Sequence, residues 1–90
     1  MAHQRSSDDL AGAVGRLLRA LHRRALTGDD EAAVALVQLG RDARAMANDG
    51  LLAAHRAGYS YGDLGAFLGI ARQSVAERVE RAERRAGPPG

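Results

Sequence analysis

Leu10, Val14, Leu17, Leu18 and Leu21 recur at intervals of three and four, the period that places side chains on one face of an α-helix. They predict a helix over 8–26, with Ser7 or Asp8 capping its start and Gly28 suiting its end. The stripe covers two heptads, too few to argue a coiled coil. The next pattern differs. Gly28-Asp29-Asp30-Glu31 is an acidic turn suited to the positive end of a helix dipole, and the AAVALVQL behind it is apolar almost all the way round. Such a helix needs cover on more than one side, from another subunit or, as a buried central helix, from its own chain. Gly40, Ala43 and Ala47 are small enough for a second helix to approach closely. Asn48-Asp49-Gly50 is a candidate break or kink before the helix resumes as LLAAHRAG.

The third pattern starts at Gly58, which ends the preceding helix. Ser60, with Asp63 three residues on, reads as a capping box in which Asp stands where Glu or Gln is usual. Leu64, Phe67 and Leu68 give an apolar face over two turns, and Gly65 falls where a side chain would push this helix off the next. Gly69 permits the positive φ of a sharp turn, and Ile70 fills the corner. Val75, Val79 and Ala82 then recur at four and three. Two short helices joined by a glycine turn are the geometry of a helix-turn-helix. The expected fold is therefore all-α, three to four helices with this hairpin C-terminal. Its organisation is a flexible N-terminus at 1–7, dimerising helices over 8–57, the hairpin over 58–86 and a disordered tail at 87–90.

The stretch GYSYGDLGAFLGIARQSVAERV, Gly58 to Val79, resembles the helix-turn-helix of small bacterial, especially actinobacterial, regulators that read approximately GYSW-x-E-I-A-x-x-L-G-V-S-R-Q-A-V-x-x-R. It is more loosely similar to the DNA-binding region of sigma factors and to phage repressors of the Cro type. The resemblance does not extend to the first two helices. It departs at Ala71, where the family has a capping Ser or Thr worth about 1 kcal/mol, and at Gly65, where Ala is more common. With Gly62 these changes lower helix propensity and make the hairpin soft.

The resemblance implies that the second helix enters the major groove and touches base edges with its N-terminal residues. Arg72 then suits the O6 and N7 of guanine, or a backbone phosphate, and Gln73 the N6 and N7 of adenine. Glu77 accepts from a cytosine N4, buttresses Arg72, or only stabilises the helix, since Glu77 and Glu80 stand four residues before Arg81 and Arg84. Ser74 reaches a phosphate, Ala76 meets a thymine methyl, and Arg78 is semi-buried or phosphate-facing. Tyr59 and Tyr61 either donate hydroxyls to phosphates or close the core beside Leu64, the latter favoured for one of them. Ser60, Tyr61, Ala71 and Arg81 complete the expected DNA-binding set.

Composition adjusts this picture in three ways. A 90-residue chain buries only about 60–65% of its unfolded surface, so it gains from pairing with its own copy. The 46% hydrophobic content includes only Tyr59, Tyr61 and Phe67 as aromatics, so the core must come from Leu, Val and Ala. All 13 basic residues are Arg against 11 acids, a net charge of +2. Arg suits phosphate and guanine, yet an all-Arg, Ala- and Gly-rich composition also follows from a GC-rich genome. Between Leu10 and Gly28 lie Arg16, Arg19, Arg23 and Arg24 and no acid, a phosphate- or acid-facing surface or simply a solvated one. From Tyr59 onward five arginines face four acids, so one copy is expected to bind weakly.

The absence of cysteine excludes disulfides and cysteine-held metals, and His3, His22 and His55 have no metal-ligand spacing. The glycines at 58, 62, 65 and 69 recur at helical spacing and form no phosphate-cradling loop. No enzyme, cofactor or metal is expected. With neither a signal peptide nor a membrane span in view, the expected setting is cytoplasmic and nucleoid-associated. The expectation is thus a homodimeric, sequence-specific binder of double-stranded DNA in transcriptional control. Two alternatives remain: a module that docks a sigma factor, polymerase or phage protein through the 32–47 helix, and an architectural or segregation DNA-binding protein.

Overall fold

The computed structural model describes Ser6–Gly87, and all secondary structure among these residues is helical. The elements are α1 (Ser7–Leu26), α2 (Asp30–Arg56), α3 (Tyr61–Leu68) and α4 (Arg72–Ala86). Most of the expected flexible N-terminus (Met1–Arg5) and of the expected tail (Pro88–Gly90) lies outside the described residues. The chain divides into two compact units, Met1–Gly40 and Arg41–Gly90, with the boundary inside α2.

In the first unit α1 is capped one residue earlier than expected. Ser6 is extended, and its Oγ accepts from the Asp9 N–H at 3.1 Å, so neither Ser7 nor Asp8 is the cap. Asp8 and Asp9 in the first turn and Arg23 and Arg24 in the last both complement the helix dipole. At the other end the Thr27 hydroxyl donates to the Arg24 carbonyl at 2.8 Å. The start of α2 is capped by Asp29, whose Oδ1 accepts from the Ala32 N–H at 3.1 Å. The amphipathic stripe on α1 is present but uncovered: α1 contains no buried residue, and Leu10, Val14 and Leu17 are each more than half exposed. In the apolar start of α2, Ala32 is buried, whereas Val34 and Val37 are exposed.

In the second unit α2 runs unbroken through Asn48-Asp49-Gly50. A glycine in a helix interior costs about 1 kcal/mol relative to alanine, and tertiary contacts offset that here. Leu52 joins the core and Asp49 forms an ion pair with Arg85, while the buried Asn48 leaves its Oδ1 without a hydrogen-bond partner. The same guanidinium donates to the Ala45 carbonyl at 3.0 Å, so the end of α4 is tied to two successive turns of α2.

The core of this unit comprises Leu52, Leu64, Val75, Val79 and Ala82, with Leu51, Ala54, Tyr61 and Ile70 packed around it. Leu64 and the α4 stripe take the inward places their spacing predicts. Phe67 and Leu68 do not, being 73% and 52% exposed. α3 has only eight residues, and its last turn leaves the core where the chain reverses. Ile70, expected to fill the corner, packs against the core. Phe67 instead stands edge-on to Tyr59, ring centroids 6.1 Å apart.

Candidate nucleic-acid interface

The surface of interest is the start of α4, and the local sequence of α3 positions it. The Ser60 hydroxyl accepts from the Asp63 N–H at 3.0 Å, and the Asp63 carboxylate accepts from the Ser60 N–H at 3.2 Å. This is the expected capping box; it occupies the hydroxyl oxygen of Ser60 but leaves the hydroxyl hydrogen free to donate. At the other end Gly69 is left-handed (φ 70°, ψ 30°), a conformation only glycine takes without strain. The Gly69 and Ile70 N–H groups both donate to the Gly65 carbonyl, which closes the turn.

Gly65 supports the turn in a second way. A Cβ there would stand 2.7 Å from the Ile70 carbonyl oxygen and 3.4 Å from the Arg72 nitrogen. The close approach is therefore between α3 and the backbone that leads into α4. The first turn of α4 lies against the bare face of Gly65, and α3 packs along α4 from there.

Ala71 is the N-cap of α4 and provides no side-chain acceptor, so the helix lacks the hydroxyl that the resembled family carries. The Ser74 N–H donates to the Ala71 carbonyl at 3.0 Å, which leaves those of Arg72 and Gln73 without a backbone acceptor. Behind them Val75, Val79 and Ala82 are fully buried. Arg72, Gln73 and Glu77 are exposed, Ser74, Ala76 and Arg78 half-buried, and Arg81 exposed one turn further along. The residues expected on the second helix thus share its first two and a half turns. Among the described residues the one ion pair is Arg85 with Asp49, so no carboxylate of the described chain neutralises Arg72. Neither Glu77 with Arg81 nor Glu80 with Arg84 closes an ion pair.

Tyr61 does not belong to this exposed set. Its ring stacks on His55 (centroids 4.1 Å, interplanar angle 21°) and packs against the core. The His55 Nδ1 lies 2.9 Å from the Tyr59 carbonyl oxygen, which only accepts, so Nδ1 is the nitrogen that carries hydrogen. One of the two tyrosines thus closes the core, as favoured, and Tyr59 is half exposed beside Phe67. Sequence reasoning missed the supports of this unit, His55 under Tyr61 and Arg85 on Asp49. Arg85 and Asp49 are 36 positions apart and no local period links them.

No family model, curated protein or solved structure matches the chain. Among the described residues no His, Cys, Asp and Glu side chains gather in a group able to hold a metal ion, and no helix is long and apolar enough to cross a membrane.

Proposed function

We propose that the chain binds double-stranded DNA sequence-specifically, with α3 and α4 acting as a helix-turn-helix, in the manner of the small bacterial regulators that Gly58–Val79 resembles. The carrying observation is the state of Arg72 and Gln73. They stand exposed at the uncapped start of a helix whose opposite face is fully buried, and no acid of the described chain pairs with Arg72. A guanidinium in that state keeps both edges for bidentate contact with guanine, and an amide likewise for adenine. The exposed Arg81 and the half-buried Arg78 suit the flanking phosphates. With three acids among the five arginines of α4, one copy binds weakly. A two-fold pair with recognition helices about 34 Å apart lets two half-sites contribute.

The test is selection of bound duplexes from a random pool, with wild type and Arg72→Ala/Gln73→Ala in parallel. A consensus that relaxes in the variant, at roughly 1–3 kcal/mol per lost bidentate contact, is the expected result. Binding without a consensus, steeply dependent on salt, favours an architectural role. No binding at any salt overturns the reading. A second reading, docking of a protein partner, is favoured by the exposed Val34 and Val37 in the 32–47 stretch.

A further inference from the structure

We infer that α1 is a self-pairing helix, which meets the α1 of a second copy in antiparallel orientation about a two-fold axis between Gly15 and Arg16. The inference specifies the surface for the pairing included in the DNA reading, and it rests on different residues.

The first observation is a need for cover. The described part of the first unit, Ser6–Gly40, buries a single residue, Ala32, while Leu10, Val14, Leu17 and Leu26 stand more than half exposed on one helix. Most helical stability in proteins comes from packing an apolar face, and Gly12 and Gly15 lower the propensity of α1 itself. Of the stripe only Leu21 is half-buried, and the rest of the face has no cover in the described first unit.

The second observation identifies the occupant. Leu10, Val14, Leu17 and Leu21 are spaced by four, three and four residues, a series that reads the same in both directions. An antiparallel copy therefore sets Leu10 against Leu21 and Val14 against Leu17, and the same two contacts repeat across the axis. That is the self-complementarity an isologous interface requires.

The third observation fixes the orientation. α1 is acidic at its start, Asp8 and Asp9, and basic over its second half, Arg16, Arg19, Arg23 and Arg24. Parallel copies would set acid beside acid and arginine beside arginine. Antiparallel copies bring the first turn of each helix to the arginines of the other's last turn. The stripe uses only part of the 20 residues of α1, fewer than the roughly 20–30 residues a side of a standard interface, so the pairing is a modest one.

The experiment uses the full chain without DNA, so its failure and that of the DNA reading are separate events. Sedimentation equilibrium of wild type is expected to show a dimer. Leu17→Glu raises its dissociation constant at least about tenfold, because each dimer buries the new charge twice. Leu17 is 69% exposed and Glu is a good helix former, so the single chain keeps its fold. Orientation is read with Leu10→Cys and Leu21→Cys, in a chain with no cysteine of its own, and a short thiol-bridging reagent. A mixture of the two variants cross-links. Leu10→Cys by itself does not, because antiparallel copies hold the two positions about 16 Å apart along the axis. A monomeric wild type, a dimer indifferent to Leu17→Glu, or self-linking of Leu10→Cys each overturns the proposal.

Discussion

The two units share a vocabulary of Leu, Val and Ala at helical spacing but differ in what covers it. In the described residues up to Gly40, the stripe of α1 and the apolar start of α2 remain in solvent, with only Ala32 buried. In residues 41–87 a comparable stripe, Val75, Val79 and Ala82, is wholly buried. The difference lies in how closely the chain returns after each turn. Gly69 reverses the chain within three residues, Gly65 lets the backbone return at close range, and the hairpin brings α3 along α4 with Leu52 of α2 joining their core. α1 also ends in a three-residue glycine turn, with Gly28 at φ 92°, but no glycine of α1 or α2 stands against the backbone of a neighbouring element as Gly65 does. A hydrophobic period thus establishes that a helix has a face to bury, while a close approach such as the one at Gly65 determines whether the same chain buries it.

The largest effect that sharpens this contrast is a pair of leucine truncations. Leu64→Ala removes a buried side chain from the core of the second unit and is expected to lower the unfolding free energy by about 2–5 kcal/mol. Leu17→Ala, measured by urea unfolding at concentrations low enough to hold single copies, is expected to change it by less than about 0.5 kcal/mol. Similar losses at both positions would mean that the first unit has a core of its own, and the contrast would fail.

A smaller effect tests the turn. Helix propensity says that Gly65→Ala stabilises α3 by about 1 kcal/mol, and alanine is common there in the resembled family. The 2.7 Å approach to the Ile70 carbonyl says the opposite, since the obstacle is backbone that also carries the start of α4. The expected outcome is a net loss of roughly 1–3 kcal/mol, the range for overpacking, read as a fall in Tm. A rise in Tm would mean that the turn yields by a few tenths of an ångström and that Gly65 does not hold α4 in place.

The all-α class, α1 to within a residue and the α3–turn–α4 segment were legible because their signals are local: a 3.6-residue period, a Ser-x-x-Asp box and a glycine after the last apolar residue. The ambiguous and mistaken positions depend on distant partners. Asn48-Asp49-Gly50 reads as a break until Arg85 is seen on Asp49 and Asn48 beneath the surface. Phe67 and Leu68 fit the apolar face by spacing, but stand exposed where α3 ends at the turn. Of the candidate site, the exposure of Arg72, Gln73 and Glu77 followed from placing Val75 and Val79 inward. The position of Tyr61 did not follow, because its ring is held by His55 from the preceding helix.

The smallest effect compares the units within a single helix. Gly40 and Gly50 both lie inside α2, on either side of the boundary between units, and a Cβ at either would meet nothing within 4 Å. Alanine at each position therefore offers the same local gain, about 0.5–1 kcal/mol, from lower unfolded-state entropy and better helix propensity. The gain appears in global unfolding only where the helix belongs to the cooperative core. Gly50→Ala is expected to raise the unfolding free energy by that amount, because its turn of α2 carries Leu52 and Asp49. Gly40→Ala is expected to leave the transition midpoint where it is in single copies and to slow amide exchange only near residue 40, the signature of a locally opening segment. If both raise the midpoint equally, α2 folds as one piece with the core, and the separation of the units is only one of covered and uncovered surface. If pairing through α1 is then allowed at high concentration, Gly40→Ala acquires a stabilising effect of its own, because its stretch of helix has joined a structure that buries it.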